Sequence, residues 1–286
     1  MAAALSVSGQ SFIGAGTHGT FYNGWDLFDS DSFATPAAQE AAVLGSNAQS
    51  SHDSFSAAVG GVGVFTYEDF EAGFPLGSIG TDPFSTTVNG VTYGLANHDT
   101  AGGVGGQSGF FNGTTDLDPG PGGTDSTRGY NMAPIASGFD GRNYFQIKPL
   151  SGASGEMNVA FGANVVRSFG FWLTGIEDTK NAVAFQVDYG GGKVDTRAVP
   201  QAAGSFGIGT LQFLGYIGDG DAIQGFSLVE ATGVNVDIMA IDSLGYTSAV
   251  PEPEEWTAIT MAFLGGLVLW RRRERALAPA NIPPSR

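Results

Sequence analysis

The stretch "NAVAFQVDYGGGKVDTRAV", residues 181–199, constrains the fold more than any other part of the chain. Val183, Phe185, Val187 and Tyr189 alternate with Ala184, Gln186 and Asp188, the period-two pattern of a strand with one buried face. A glycine turn then leads into a second run, and a lone hairpin is not stable without further strands to cover its apolar face. Those strands are close at hand. "FSTTVNGVTYGLA" sets Asn89-Gly90 between β-branched runs, and both residues tolerate the positive φ of a type I′ turn. "RSFGFWLTGI", "TLQFLGYIG", "AIQGFSLVEA" and "VNVDIMAIDSLGY" add four short strands separated by turn residues. Sequential strands at this spacing predict an all-β domain, an antiparallel β-sandwich of jelly-roll type.

Composition agrees and narrows the chemistry. The chain has 286 residues, enough for one large β domain, and its 45 glycines show no Gly-X-Y period. There is no cysteine, which removes disulfides, thiolate zinc sites and thiol catalysis. Net charge is −16, and no Lys or Arg precedes Arg128. Five of the 12 basic residues follow Trp270, so the chain before Pro251 carries seven basic against 24 acidic residues. Such a surface repels phosphates and anionic lipid, which disfavours nucleic acid and anionic membrane surfaces alike as ligands of the body, and no nucleic-acid partner is expected. Divalent cations and neutral sugars remain compatible with it.

Four regions follow along the chain. Residues 1–60, rich in Ala, Ser and Gly, read as a loosely packed lead-in with a weak helical pattern near Pro36 to Leu44. The first residues, "MAAALSVSG", resemble the end of a signal peptide without its basic region. Residues 61–248 form the sandwich, interrupted by a Gly/Asp/Thr-rich loop at 97–142 that is long for a compact domain. Residues 249–275 hold Pro251-Glu252-Pro253, an uncharged run from Trp256 to Trp270 and an arginine cluster, and 276–286 read as a disordered tail.

The run 256–270 would reach about 22 Å as a helix, short of a ~30 Å hydrocarbon core. Terminal Trp rings at the interface, snorkelling arginines and local thinning offset the difference, so a single transmembrane helix is expected. Arg271, Arg272, Arg273 and Arg275 orient it with the C-terminus in the cytoplasm and the body outside.

Pro-Glu-Pro, one hydrophobic helix and a terminal arginine cluster, in that order, resemble the PEP-CTERM sorting signal of Gram-negative bacteria. The resemblance implies that the inner membrane holds the exported chain until an exosortase, a membrane cysteine transpeptidase, recognises Pro251, Glu252 and Pro253. The chain is then a substrate, destined for the cell surface or matrix, rather than an enzyme. Glu254-Glu255 departs from the small or hydroxylated residues usual there. The two prolines keep the motif extended and free of sheet and helix alike. The aromatic-Gly-aromatic strand, "LQFLGYIGDGDAIQGFSLV" and "VDIMAIDSLGY" are similar to the lectin-like sandwiches that precede this tail, which implies a structural, adhesive or carbohydrate-binding role in exopolysaccharide or biofilm.

Calcium is the one candidate cofactor. Jelly-roll carbohydrate-binding modules commonly hold a structural Ca²⁺ where first and last strands meet, and Glu68, Asp69 or Glu71 would converge there with Asp237 or Asp242. Asp242 keeps phase with Val236, Ile238 and Leu244 on the face expected to be buried, an expensive place for a carboxylate that a metal or a β-bulge would relieve. Asp116, Asp118 and Asp125 fail the EF-hand pattern at Gly120 and Thr127, and Gln107 breaks a β-roll pattern. Trp172, beside Gly170 and Thr174 on one strand face, is a candidate for stacking on a sugar ring, with core packing as the alternative.

Catalytic patterns are thin. The chain has no nucleophile elbow, HExxH or P-loop, and "GAGTHG", Gly14 to Gly19, lacks the helix that a dinucleotide fingerprint requires. A polysaccharide hydrolase with paired carboxylates stays open as the rival reading. An ice-binding protein, a name attached to relatives of the tail, finds no Thr-x-Thr array here.

Overall fold

The computed structural model describes residues 10–28, 45–60, 63–68, 70, 73–100, 108–112, 143–174, 182–199, 209–231 and 239–249. The chain divides into two units, Met1–Ser248 and Ala249–Arg286. Of the second, only Ala249 is among the described residues.

Strands β1 (Gln10–Ala15) and β2 (Gly19–Phe28) precede helix α1 (Asn47–Val59). Then come β3 (Gly63–Glu68), β4 (Gly77–Ser78), β5 (Phe84–Val88), β6 (Val91–Ala96) and β7 (Gly109–Asn112). β8 (Asn143–Ile147), β9 (Glu156–Ala160), β10 (Val166–Thr174), β11 (Val183–Asp188) and β12 (Val194–Ala198) follow. β13 (Gly209–Gly218), β14 (Gly225–Glu230) and β15 (Met239–Ala249) complete the set.

These strands form two antiparallel sheets. One has nine strands, ordered β1-β2-β13-β10-β15-β8-β7-β4 with β3 also on β15, and the other six, ordered β12-β11-β14-β9-β6-β5. Their inner faces share one aromatic-rich core. At one end Phe169 and Phe171 of β10 each stack on Phe226 of β14 at 4.7 Å, with Phe185 edge-on to all three. At the other, Phe110 stacks on Phe145 at 4.4 Å beneath Phe70, Phe74 and Tyr93. Apolar side chains spaced two apart bury themselves between the sheets, and that burial drives the sandwich.

Both hairpins form as the sequence predicts. Asn89 (φ 52°) and Gly90 (φ 81°) join β5 to β6, and Val183, Phe185, Val187 and Tyr189 are buried while Asp188 is exposed. The expected lead-in is different. Within residues 1–60, β1 and β2 belong to the nine-stranded sheet, β2 pairing along its full length with β13, and α1 lies against that sheet. "GTFYNGWDLF" fails to read as a strand because Gly19 and Gly24 punctuate it, yet both are packing glycines. A Cβ at Gly24 would fall inside the Asn47 carbonyl, and one at Gly215 would meet the Phe55 ring at 2.8 Å. These glycines let the helix sit close to the sheet.

α1 starts where Ser46 Oγ accepts the Gln49 amide at 3.0 Å, and Asp26 accepts the Ala48 amide at 2.9 Å and Asn47 Nδ2 at 2.7 Å. The helical pattern expected at 36–44 lies outside the described residues. Within the stretch expected as the loop 97–142, β7 pairs with β4 and β8, and His98 is 1 % exposed and bridges Pro149. The rest of that stretch, 101–107 and 113–142, lies outside the described residues. Among the described residues no helix is long and apolar enough to cross a membrane, and the run 256–270 lies outside them.

Candidate functional site

Helix α1 covers part of the outer face of the nine-stranded sheet, over β2, β13 and β10. Phe55 and Val59 of α1 pack over Trp172 and Phe213, leaving Trp172 3 % exposed. Its ring stacks on His52 at 5.5 Å and meets Phe213 edge-on at 5.4 Å, so it offers no face to a sugar. The stacking expectation is corrected: a helix from the supposed lead-in covers the strand face on which Trp172 stands.

Asp242 shares this outer side. β10 and β15 slip register where Gly170 faces Gly245 but Trp172 faces Asp242, placing one extra residue in β15. Ser243, at φ 51°, absorbs it. Ile241 and Leu244 therefore both join the core, while Asp242 turns away from it and accepts the Ser243 amide at 2.6 Å. The bulge resolves the phase problem that the sequence posed for this carboxylate. Asp69, Glu71 and Asp237 lie outside the described residues, as do Val236 and Ile238, and of Glu68 only the backbone is described. Among the described residues no three His, Cys, Asp or Glu side chains gather to hold a metal ion. Pro251, Glu252, Pro253, the span Trp256 to Trp270 and Arg271, Arg272, Arg273 and Arg275 also lie outside them.

Asp195 anchors a second polar concentration, 2 % exposed on β12. It accepts the Thr17 amide at 3.1 Å, the His18 amide at 2.9 Å and the Tyr216 hydroxyl. The Tyr189 hydroxyl lies 2.6 Å from that of Tyr216 and donates to the His18 carbonyl at 2.8 Å. Burial pushes the Asp195 carboxyl up, but the Tyr216 hydroxyl and the two amides outweigh it and hold the group below its ordinary range. Burial raises both phenols, Tyr189 to about 12. Asp195, Tyr189 and Tyr216 all have partners here, and "GAGTHG" is the turn these bonds fasten, so the cluster is a joint between the two sheets.

Among the described residues no element lies over the outer face of the six-stranded sheet, where Ser85 and Thr196 are exposed and Asn158, Ser227 and Gln186 half-buried. Its register aligns Ser85, Gly94, Asn158, Ser227, Gln186 and Thr196 in one row that crosses all six strands. At ~4.8 Å per strand the row is about 24 Å long. Gly94 lies beneath Asn158, whose amide occupies the space a Cβ would fill. Asn158 and Ser227 also line a groove of about 290 Å³, together with Gly225, Ala160, Glu156 and Asp188. Small residues thus floor a trench, and hydroxyls, amides and two carboxylates edge it. Sequence reasoning missed Asn158 and Ser227. Alternation in "EMNVA" and "GFSLVE" places them on a solvent face, but only the register sets them side by side.

No protein-family model matches the chain, and no curated protein matches it. Among solved structures, it is similar to a family 29 carbohydrate-binding module, at 10 % identity and a TM-score of 0.34, covering 65 % of this chain and 90 % of that one. A family 61 module in complex with β-1,4-galactotriose is similar at 18 % identity and a TM-score of 0.27, covering 41 % and 79 %. The enzymatically active domain of tailspike protein 4 of bacteriophage CBA120 is similar at 14 % identity and 0.30, covering 56 % and 19 %.

Proposed function

We propose that this chain is an exported surface protein, delivered and tethered by its C-terminal tail, whose jelly-roll-like sandwich binds a polysaccharide of the envelope or matrix. One observation carries the binding reading: the two outer sheet faces differ. The face bearing Trp172 is covered there by α1, whereas the face bearing Asn158 presents hydrogen-bonding side chains on five of its six strands, with Gly94 on the sixth, over a floor of small residues. A hydroxyl-rich chain meets such a row well, because each hydroxyl donates and accepts. The tail reading rests on the order of Pro251-Glu252-Pro253, the apolar run and the arginines, with exosortase and the inner membrane as the partners it implies.

Register argues against the hydrolase alternative at this groove. Glu156 and Asp188 lie two strands apart, and Asp188 aligns through Gly225 with Ala160, four residues from Glu156. Their Cα atoms are then about 16 Å apart, with side chains standing off the sheet, beyond the ~5 to 9.5 Å that paired glycosidase carboxylates need. Affinity electrophoresis of the detergent-solubilised full chain in gels cast with galactomannan, xyloglucan, galactan or hydroxyethylcellulose tests the reading. Retardation by at least one polymer, reduced in Asn158→Ala and Gln186→Ala, is expected. Mobility unchanged by all four contradicts it.

A further inference from the structure

Resting on the carbohydrate reading above, we infer that the groove on the six-stranded sheet discriminates by charge: it accepts uncharged polysaccharide and rejects polyanionic chains such as uronates. Three observations carry this.

Among the described residues the ionisable groups lining the groove are two carboxylates, Glu156 on β9 and Asp188 on β11. They stand on opposite sides of the Asn158 row, on strands separated by β14, so a chain laid along the row passes between them. Carboxylates accept hydrogen bonds from hydroxyls, which suits a neutral sugar and opposes a second carboxylate.

Nearby cations point elsewhere. Among the described residues no Lys or Arg belongs to the row or lines the groove. Arg197, one residue past Thr196 on β12, lies over the Phe21 ring at 5.5 Å on the core side of the strand. Lys193, in the turn before β12, is paired with Asp221. Among the described residues a uronate entering the trench would find hydroxyl and amide partners but no guanidinium or ammonium to offset its charge.

Among the described residues the face also carries no aromatic platform. Its row reads Ser, Gly, Asn, Ser, Gln, Thr, so contact rests on hydrogen bonds rather than on ring stacking. Gly94 is the position that sets the row's geometry, because any side chain there would displace the Asn158 amide lying across it. Neutral recognition of this kind depends little on salt, whereas repulsion of a polyanion acts over a Debye length of ~10 Å at 0.1 M salt.

The test is affinity electrophoresis of the detergent-solubilised full chain against matched polymers. Hydroxyethylcellulose and galactan are the neutral members, and carboxymethylcellulose and polygalacturonate their anionic counterparts. We expect the neutral member of at least one pair to bind roughly tenfold or more tightly than its counterpart at ~0.02 M salt, with the neutral affinity changing less than about twofold at ~0.5 M. Glu156→Gln with Asp188→Asn should narrow the gap between the members of that pair. Equal or tighter binding of the anionic member overturns the inference while leaving the carbohydrate reading intact, as does a gap that the double variant leaves unchanged. Binding to none of the four overturns this inference. Extending the failure to galactomannan and xyloglucan removes the carbohydrate reading as well.

Discussion

Tyr216 on β13 donates its hydroxyl to Asp195 on β12, so a strand of the nine-stranded sheet is bonded to the edge strand of the six-stranded one. The same carboxylate holds the β1–β2 turn through two amides, which makes it the fastening of the N-terminal hairpin to the opposite sheet. Hydrogen bonds to a buried charge contribute more than neutral ones, so Tyr216→Phe should cost about 1.5 to 3 kcal/mol in urea denaturation. A midpoint equal to that of the parent would show that the bond contributes nothing to the fold.

The same joint sets a pH dependence at both extremes. Asp195 is held below its ordinary value of 3.8, so its contribution is present above that pH and is lost as pH falls through the folded value. Tyr189 is raised from 10.0 to about 12, so the unfolded chain ionises first and stability drops as pH rises across that interval. Urea midpoints should therefore fall below about pH 4 and again between pH 10 and 12, with Asp195→Asn flattening the first limb and Tyr189→Phe the second. Limbs of unchanged slope in these variants would assign the titration to other groups.

Gly24→Ala tests the seating of α1. The added methyl would collide with the Asn47 carbonyl and crowd Ser51 Cβ at 2.8 Å, forcing the start of the helix off the sheet. Overpacking of this kind costs about 1 to 3 kcal/mol. The expected companion signal is a red-shifted Trp172 emission as the cover over its ring loosens. Unchanged stability and emission would mean that the helix does not bear on the sheet as described.

Much of the sandwich was legible because alternation reports burial directly: Val183, Phe185 and Val187 face the core in the structure as they do in the pattern. The Asn89-Gly90 turn was legible because its backbone requirement is local. The first 60 residues were not, since glycines that signal a loop are packing positions here, Gly24 against α1 and Gly19 against Ile217 and Tyr216. Trp172 shows the same limit: its alternation was read correctly, but what covers it comes from a helix more than a hundred residues earlier. The phase of Asp242 called for a metal or a β-bulge, and only the register shows the bulge, at Ser243. The Asn158 row was beyond reach because it is assembled from strands that are distant in sequence, β6 to β9 and β9 to β14.

The tail makes a separate prediction. In a Gram-negative host with an exosortase, full-length chain should fractionate with the inner membrane and a shortened form should reach the surface. Pro251→Ala with Pro253→Ala should leave full-length chain in the membrane, because the donor-free extended segment that the enzyme is proposed to engage is lost. Full-length chain in the cytosolic supernatant would contradict the proposal.

The most direct test of the working surface is amide hydrogen exchange on the full chain in detergent, with and without a saturating neutral polymer that retards it in gels. Protection is expected in peptides covering Glu156–Ala160, Val183–Asp188 and Gly225–Glu230, the strands that carry the groove. Protection centred instead on Asn47–Val59 and Val166–Thr174, with the groove strands unchanged, would contradict the assignment of the open face as the binding surface.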